Sequence, residues 1–336
     1  MIPISIKSLC IKSNKLYVRL LSNSSANHFI SISQLTNKEL NDLIDDSIRI
    51  KNDFKSNPDK SRKIKPLDGT SMSMIFQKRS TRTRVSTETG IHLLGGHGLM
   101  LGPQDIQLGV NETLKDTARV LSRFNDIILA RVFAHSDVLE LAKESSVPVI
   151  NALSDKYHPL QTLADLMTIK EHFGSLSGLK LAWAGDGNNV LHDLSIGSLK
   201  SGMDVSIATP TGYSPDEDVV DTAKSIATQL GLKFTLTTDP KVAVKDADIV
   251  VTDTWVSMGQ EEEAKKRKID FKGYQVNKEL MALARPNAIF LHCLPRKPEE
   301  VSDDVFYSNQ SLVFPEAENR MWTVMAVTLK LLGKKW

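Results

Sequence analysis

Nine apolar runs of strand length alternate with stretches of helical period, and that alternation leaves few folds open. The runs lie at 72–76, 98–101, 126–132, 147–151, 179–184, 204–208, 233–237, 247–252 and 288–292. Helical patterns separate most of them, at 114–124, 135–144, 161–173, 190–200 and 216–230. Strands buried on both faces carry continuous apolar runs, and parallel strands need helical crossovers. The expected class is therefore α/β, with mostly parallel sheets covered by helices on both faces. A length of 336 residues favours two doubly wound domains over one large sheet. The break between them is expected near the helix at 161–173, just after His158-Pro159. Thr36 and Glu39 have capping-box spacing and should open a helix running to about Phe54. Residues 55–71, with Pro58, Pro66 and Gly69, are expected as a loop. A last helix at about 320–333 is too short to form a domain and should pack on one already present.

Charge narrows the partners. Lys plus Arg number 42 and Asp plus Glu 40, a net charge of +2, so nothing asks for a polyanion. The balance is uneven. Residues 1–27 hold Lys7, Lys12, Lys15 and Arg19, several serines and no acid, the composition of an organelle transit peptide; a disordered basic tail is the plainer alternative. Without those four charges the remainder carries 38 basic and 40 acidic groups, which argues against a nucleic-acid partner. No run reaches transmembrane length, so no membrane partner is expected. Cys10 lies in the presumed leader, leaving Cys293 as the one cysteine of the body, with no internal disulfide and no zinc spacing.

In parallel sheets ligands gather where strands end and helices begin, and chemistry-bearing residues follow several of the runs. After 72–76 comes KRSTRTR, with Ser80, Thr81, Arg82 and Thr83 at an expected helix start. Free N–H groups, hydroxyls and a guanidinium there would suit a phosphate; a capped helix with a solvated basic face is the competing reading. Arg131 ends an apolar strand, where a charge needs either an anion or a carboxylate partner. His158 and Gln161 stand at a loop-to-helix junction, where an imidazole can donate to a carbonyl oxygen gaining charge. GDGNNV at 185–190 is not a dinucleotide fingerprint, since Val190 replaces the third glycine and Thr209-Pro210 stands where a ribose-binding acid belongs. Its Asn188 and Asn189 better suit the polar ends of an amino acid. Asp253 ends another strand and can hold an ammonium, with Ser257 in the loop after it. Cys293 beside His292 is either a nucleophile or a small buried hydrophobe. Arg320, in a charged turn before the last helix, could supply a third positive group.

These stretches together resemble the ornithine carbamoyltransferase family. STRTR at 80–84, DIQLGVNE at 105–112, DTARVLSR at 116–123, HPLQ at 158–161, GDGNN at 185–189, DTWVSMGQEEE at 253–263, HCLPRKPEEV at 292–301 and FPEAENR at 314–320 carry the resemblance in order. It implies the aspartate/ornithine carbamoyltransferase-like fold and transfer of a carbamoyl group from carbamoyl phosphate to L-ornithine, giving L-citrulline and phosphate. It implies that Ser80, Thr81, Arg82 and Thr83 bind the phosphate, that Arg131, His158 and Gln161 hold the carbamoyl group, and that Arg320 adds charge. Gln107 would reach the phosphate of a neighbouring subunit, which implies a homotrimer with sites at subunit interfaces. Asn189, Asp253, Ser257 and Met258 would bind ornithine, with Cys293 and Leu294 between the substrates. Arg131, His158, Asp253 and Cys293 would form the catalytic set, without metal or cofactor. The implied division is a mitochondrial leader at 1–27, a carbamoyl-phosphate domain at 28–168 joined by the helix 320–336, and an ornithine domain at 169–319, working in the mitochondrial matrix.

Overall fold

The computed structural model describes residues 26–105, 112–257 and 261–336. Gln107, Met258 and nearly all of the presumed leader lie outside the described residues. Two parallel sheets form the molecule. The first has the order β2-β1-β3-β4, from β1 (Ser71–Phe76), β2 (His97–Leu101), β3 (Ile127–Arg131) and β4 (Val149–Leu153). The second has the order β7-β6-β5-β8-β9, from β5 (Lys180–Ala184), β6 (Asp204–Ala208), β7 (Phe234–Thr237), β8 (Ile249–Val251) and β9 (Ile289–Leu291). All their ladders are parallel. β1, β3, β4, β5, β8 and β9 are buried almost throughout, which is why their sequences are continuous apolar runs.

Strand order fixes where ligands can enter. In the first sheet the chain turns outward in opposite directions from β1 and β3, and in the second from β5 and β8. Such switch points open a crevice at the carboxyl ends of the strands. Phe76 and Arg131 are paired at the first switch point, so KRSTRTR and Arg131 emerge side by side. GDGNN and Asp253 emerge side by side at the second.

The helix Pro159–Phe173 joins the two lobes and is buried from Pro159 to Ile169. Proline at its first position loses no helical bond, so the helix begins earlier than the pattern at 161 suggests. The terminal helix also differs from expectation. It runs Val313–Leu331, and the charged segment 316–320 is inside it rather than in a turn before it. Pro315 occupies its first turn, where no N–H has an intrahelical partner to lose. This helix packs on Pro159–Phe173, on Thr81–Leu93 and on Asn37–Ser56. A continuous core runs from Met72 and Met74 of β1 through Leu163 and Leu166 to Leu181 and Trp183 of β5. The expected capping box forms, with Thr36 Oγ1 accepting from Glu39 N–H at 3.2 Å and Glu39 accepting from Thr36 N–H at 2.8 Å. The segment 55–71 includes a short helical turn, Pro58–Ser61. No described helix is long and apolar enough to cross a membrane.

Candidate active site

Ser80 caps the helix Thr81–Leu93, accepting from the Thr83 N–H at 3.3 Å and donating to Thr83 Oγ1 at 3.0 Å. The cap leaves Thr81 exposed at the positive end of the helix and Thr83 buried below it. The basic residues of this segment divide. Lys78 Nζ lies 4.6 Å from the Phe133 ring centroid, and Arg84 pairs with Glu88 one turn along at 3.1 Å. Arg82 instead crosses to the other lobe, donating to the Leu294 carbonyl at 2.5 Å. Leu294 holds φ at 58°, a costly left-handed conformation for a branched residue.

Arg131 is 5% exposed, and its Nε has no partner. The charged or ionisable groups around it are Arg320, Arg82 and the Cys293 thiol, with no carboxylate among them. Among the described residues Arg131 therefore makes no salt bridge. Burial lowers both Arg131 and Arg320 to about 10; Arg320 and Arg82 add to the effect at Arg131, while at Arg320 the Cys293 thiol and Asp165 partly offset it and Arg82 adds to it. His158 is buried against the same charges, its Nδ1 without a partner. Burial and Arg320, Arg131 and Arg82 hold its pKa well below the ordinary imidazole value, so it is neutral at physiological pH. Gln161 Oε1 accepts from Arg320 Nη1 at 2.6 Å. Gln161 Nε2 donates to Asp165 Oδ1 and Glu316 Oε1, each at 2.7 Å.

The opposite wall comes from the second lobe. Asn188 caps the helix Asn189–Lys200 with its Oδ1, and its Nδ2 donates to Asp253 Oδ2 at 2.8 Å. Its amide thus bonds the carboxylate, and Asn188 also lines the cavity described below. Asn189 Nδ2 donates to the Ser154 carbonyl at 2.5 Å, across the lobes. Asp253 Oδ1 accepts from the Cys293 thiol at 2.9 Å. Burial and Asp253 push that thiol well above its ordinary pKa. His292 does not activate it. Its Nδ1 accepts from the Leu294 N–H at 3.0 Å, which leaves the proton on Nε2, 3.2 Å from buried Glu300. Among the described residues, Asp253, His292 and Cys293 are the group with metal-ligand chemistry, their ligand atoms within 4.8 Å of one another. Both His292 nitrogens and the thiol proton are committed to hydrogen bonds.

A cavity of about 580 Å³ leads in from the surface, lined by Asn189, Ser257, Asp186, Tyr213 and Lys156 among others. Asn189 and Ser257 line it, while Asp253 and Cys293 are not among its lining residues. Sequence reasoning missed the groups that brace this wall. Arg267 Nη1 bonds Asp186 Oδ2 and the Trp255 carbonyl, both at 2.9 Å, while Glu300 accepts from the Trp255 N–H at 3.3 Å. It also missed Asp165 and Glu316. The available signal was spacing, for Gln161–Asp165 and Glu316–Arg320 are each four apart within buried helices.

Residues 27–171 match the family model described as "Aspartate/ornithine carbamoyltransferase, carbamoyl-P binding domain", and residues 177–331 match "Aspartate/ornithine carbamoyltransferase, Asp/Orn binding domain". The mitochondrial ornithine carbamoyltransferase of Schizosaccharomyces pombe is 53% identical over 307 residues, covering 91% of this chain and 94% of that protein. The mitochondrial enzyme of the same name from Aquarana catesbeiana is 59% identical over 266 residues, 79% of this chain and 76% of the relative. Among solved structures, ornithine carbamoyltransferase from Pyrococcus furiosus superposes with a TM-score of 0.87 at 47% identity, covering 93% of this chain and 98% of that one.

Proposed function

This chain belongs to the aspartate/ornithine carbamoyltransferase family, and from that premise we propose how its cleft performs the reaction. The activity is that of an ornithine carbamoyltransferase, making L-citrulline and phosphate from carbamoyl phosphate and L-ornithine, a step of arginine biosynthesis and the urea cycle. The observation that carries the assignment of roles is the buried His158, kept neutral by burial and by three nearby guanidiniums, Arg320, Arg131 and Arg82.

The phosphate sits at the start of the helix Thr81–Leu93, held by Ser80, Thr81, Arg82 and Thr83. Gln107 of a neighbouring subunit completes the cradle in a homotrimer. The carbamoyl oxygen faces Arg131, His158 and the Thr83 hydroxyl, and its nitrogen faces Gln161 and Leu294. Asn189, Asp253, Ser257 and Met258 hold ornithine, with Cys293 between the two ligands. The side-chain amine arrives deprotonated and attacks the carbamoyl carbon, and as the C–N bond forms its surplus proton passes to a phosphate oxygen, so that the leaving group departs as hydrogen phosphate. Charge accumulates on the carbamoyl oxygen in the tetrahedral state, where donors fixed before the reaction stabilise it most. The C–O bond to phosphate then breaks, and Arg82 and Arg320 balance the departing charge.

Residues 28–168 with the C-terminal segment 320–336 form the carbamoyl-phosphate unit in this reading, and 169–319 the ornithine unit. The protein is mitochondrial, as its relatives' names state for them, and we assign it to the matrix. The test offers carbamoyl phosphate to the purified full chain with ornithine, putrescine, aspartate or N-acetylornithine. Product with ornithine alone is expected. Product with putrescine would mean that Ser257 and its loop read no α-amino or α-carboxylate group, and would overturn the acceptor assignment.

A further inference from the structure

Two acids that the reaction does not use lie directly behind its amide. Gln161 and Asp165 are one turn apart on the helix Pro159–Phe173, and Glu316 and Arg320 one turn apart on Val313–Leu331. The four side chains close a ring in which each is at most 4% exposed. Gln161 Nε2 donates to Asp165 Oδ1 and Glu316 Oε1 at 2.7 Å, and Arg320 Nη1 donates to Gln161 Oε1 at 2.6 Å. The second Glu316 oxygen accepts the N–H of His292 at 3.0 Å, tying the ring to the segment that carries Cys293 and Leu294.

The ring dictates what Gln161 can offer. Arginine only donates, so the amide oxygen must face Arg320. Both amide hydrogens are then spent on the two acids. What remains is one lone pair on Oε1, so Gln161 can accept from a ligand and cannot donate to one. The acids constrain each other as well. They lie within hydrogen-bonding reach of each other, away from solvent, where two carboxylates cannot both be ionised. The groups facing them are Arg320, Asp253, Cys293 and the backbone N–H of His292. One shared proton leaves a single negative charge opposite Arg320.

We propose that Asp165 and Glu316 are a positioning pair that locks Gln161 with its oxygen as acceptor for the carbamoyl –NH2, so that the site selects carbamoyl phosphate over acyl phosphates lacking that group. This rests on the carbamoyl-phosphate reading above. Acetyl phosphate is the probe, because a methyl group replaces the –NH2 and the rest of the ligand is kept. The full-length chain is assayed for the ratio of the acetyl phosphate inhibition constant to the KM of carbamoyl phosphate.

The native chain should prefer carbamoyl phosphate by about tenfold or more, the worth of one net hydrogen bond. Glu316→Ala releases one amide hydrogen, so Gln161 can offer a ligand a donor as well as an acceptor, and the ratio should fall to within about twofold of unity. A purely structural role would weaken both ligands alike and leave the ratio unchanged, which overturns the proposal. If Glu316→Ala does not fold, Asp165→Asn decides. Asparagine keeps an oxygen for Gln161 and can turn its –NH2 to Glu316, both of whose oxygens already accept N–H bonds, so it should keep the ratio; a folded Asp165→Asn that loses the ratio also overturns the proposal. A native chain that binds acetyl phosphate and carbamoyl phosphate equally sinks the pairing alone. One that binds neither sinks the reading of the site, and the pairing with it.

Discussion

The chemistry of one sulfur separates two mechanisms. A nucleophilic cysteine needs a depressed pKa and a base within reach. Cys293 has the reverse: its proton is held by Asp253, burial raises its pKa, and both nitrogens of His292 are engaged elsewhere. In the site proposed above it orients Asp253 and the incoming amine. Cys293→Ser keeps a donor but shortens its reach. The KM for ornithine should rise about tenfold, consistent with one weakened hydrogen bond, while turnover persists. Complete loss of turnover, together with a carbamoyl thioester trapped on the native chain, would contradict this. At the residue scale the sequence was legible where a charge interrupts an apolar run. Arg131 and Asp253 stand out for that reason, and both emerge at switch points. Asp165 and Glu316 do not stand out, because an acid within a helix usually faces solvent; only the buried partners four residues away reveal them.

Elements were legible wherever burial on both faces left an unbroken apolar run, and all nine expected runs overlap strands of the structure, the fourth displaced by two residues. Helix starts were less so, because proline is a breaker in the interior but neutral in the first turn. The early starts at Pro159 and at Val313, ahead of Pro315, follow from that. The GDGNN turn shows what an element can hide. Its glycines suggest phosphate binding, yet Gly187 is required by the chain itself. A Cβ there would lie 2.4 Å from Pro215 N and Ser214 C, and the Gly187 N–H donates to the Tyr213 carbonyl at 2.9 Å. Backbone cannot yield as a flexible side chain does. Gly187→Ala should separate the two loops, displace Asn188 and Asn189, and destabilise the fold by about 1–3 kcal/mol. The KM for ornithine should rise while that for carbamoyl phosphate holds. Parallel thermal melts and kinetics check this, and an unchanged ornithine KM would show that the turn does not set the asparagines.

At the scale of the whole molecule, the same burial that prepares the site sets how stability responds to pH. His28 and His135 are lowered to about 4 by burial, and His158 lies well below its ordinary value. They are neutral when folded and take up protons when unfolded below about 6.5, so their contribution is present above that pH and lost as pH falls. The buried acids work in the other direction. Burial raises Asp165 to about 7, Asp186 to about 6 and Asp193 to about 8, with Glu316 well above the usual range. They keep protons when folded that the unfolded chain releases near 4, so their contribution is lost as pH climbs through the folded values. Between about pH 4 and 6.5 the two sets oppose each other. Above 6.5 the histidines are silent and Asp165, Asp193 and Glu316 act alone, before Lys200, lowered to about 8, begins to oppose them. The unfolding temperature of the ligand-free chain should therefore fall by several degrees from pH 6.5 to 8. The buffer must be free of phosphate, since a bound anion would add its own stabilisation. Asp193 is the group to change. It is fully buried and accepts the Ile32 N–H at 2.8 Å, a bond that an asparagine oxygen can also accept. Asp193→Asn cannot lose a proton in this window, so its melting curve should decline less steeply than the native one. Parallel declines in the two proteins would mean that Asp193 is already ionised in the fold, and the balance between histidines and acids would have to be redrawn around the Asp165–Glu316 pair alone.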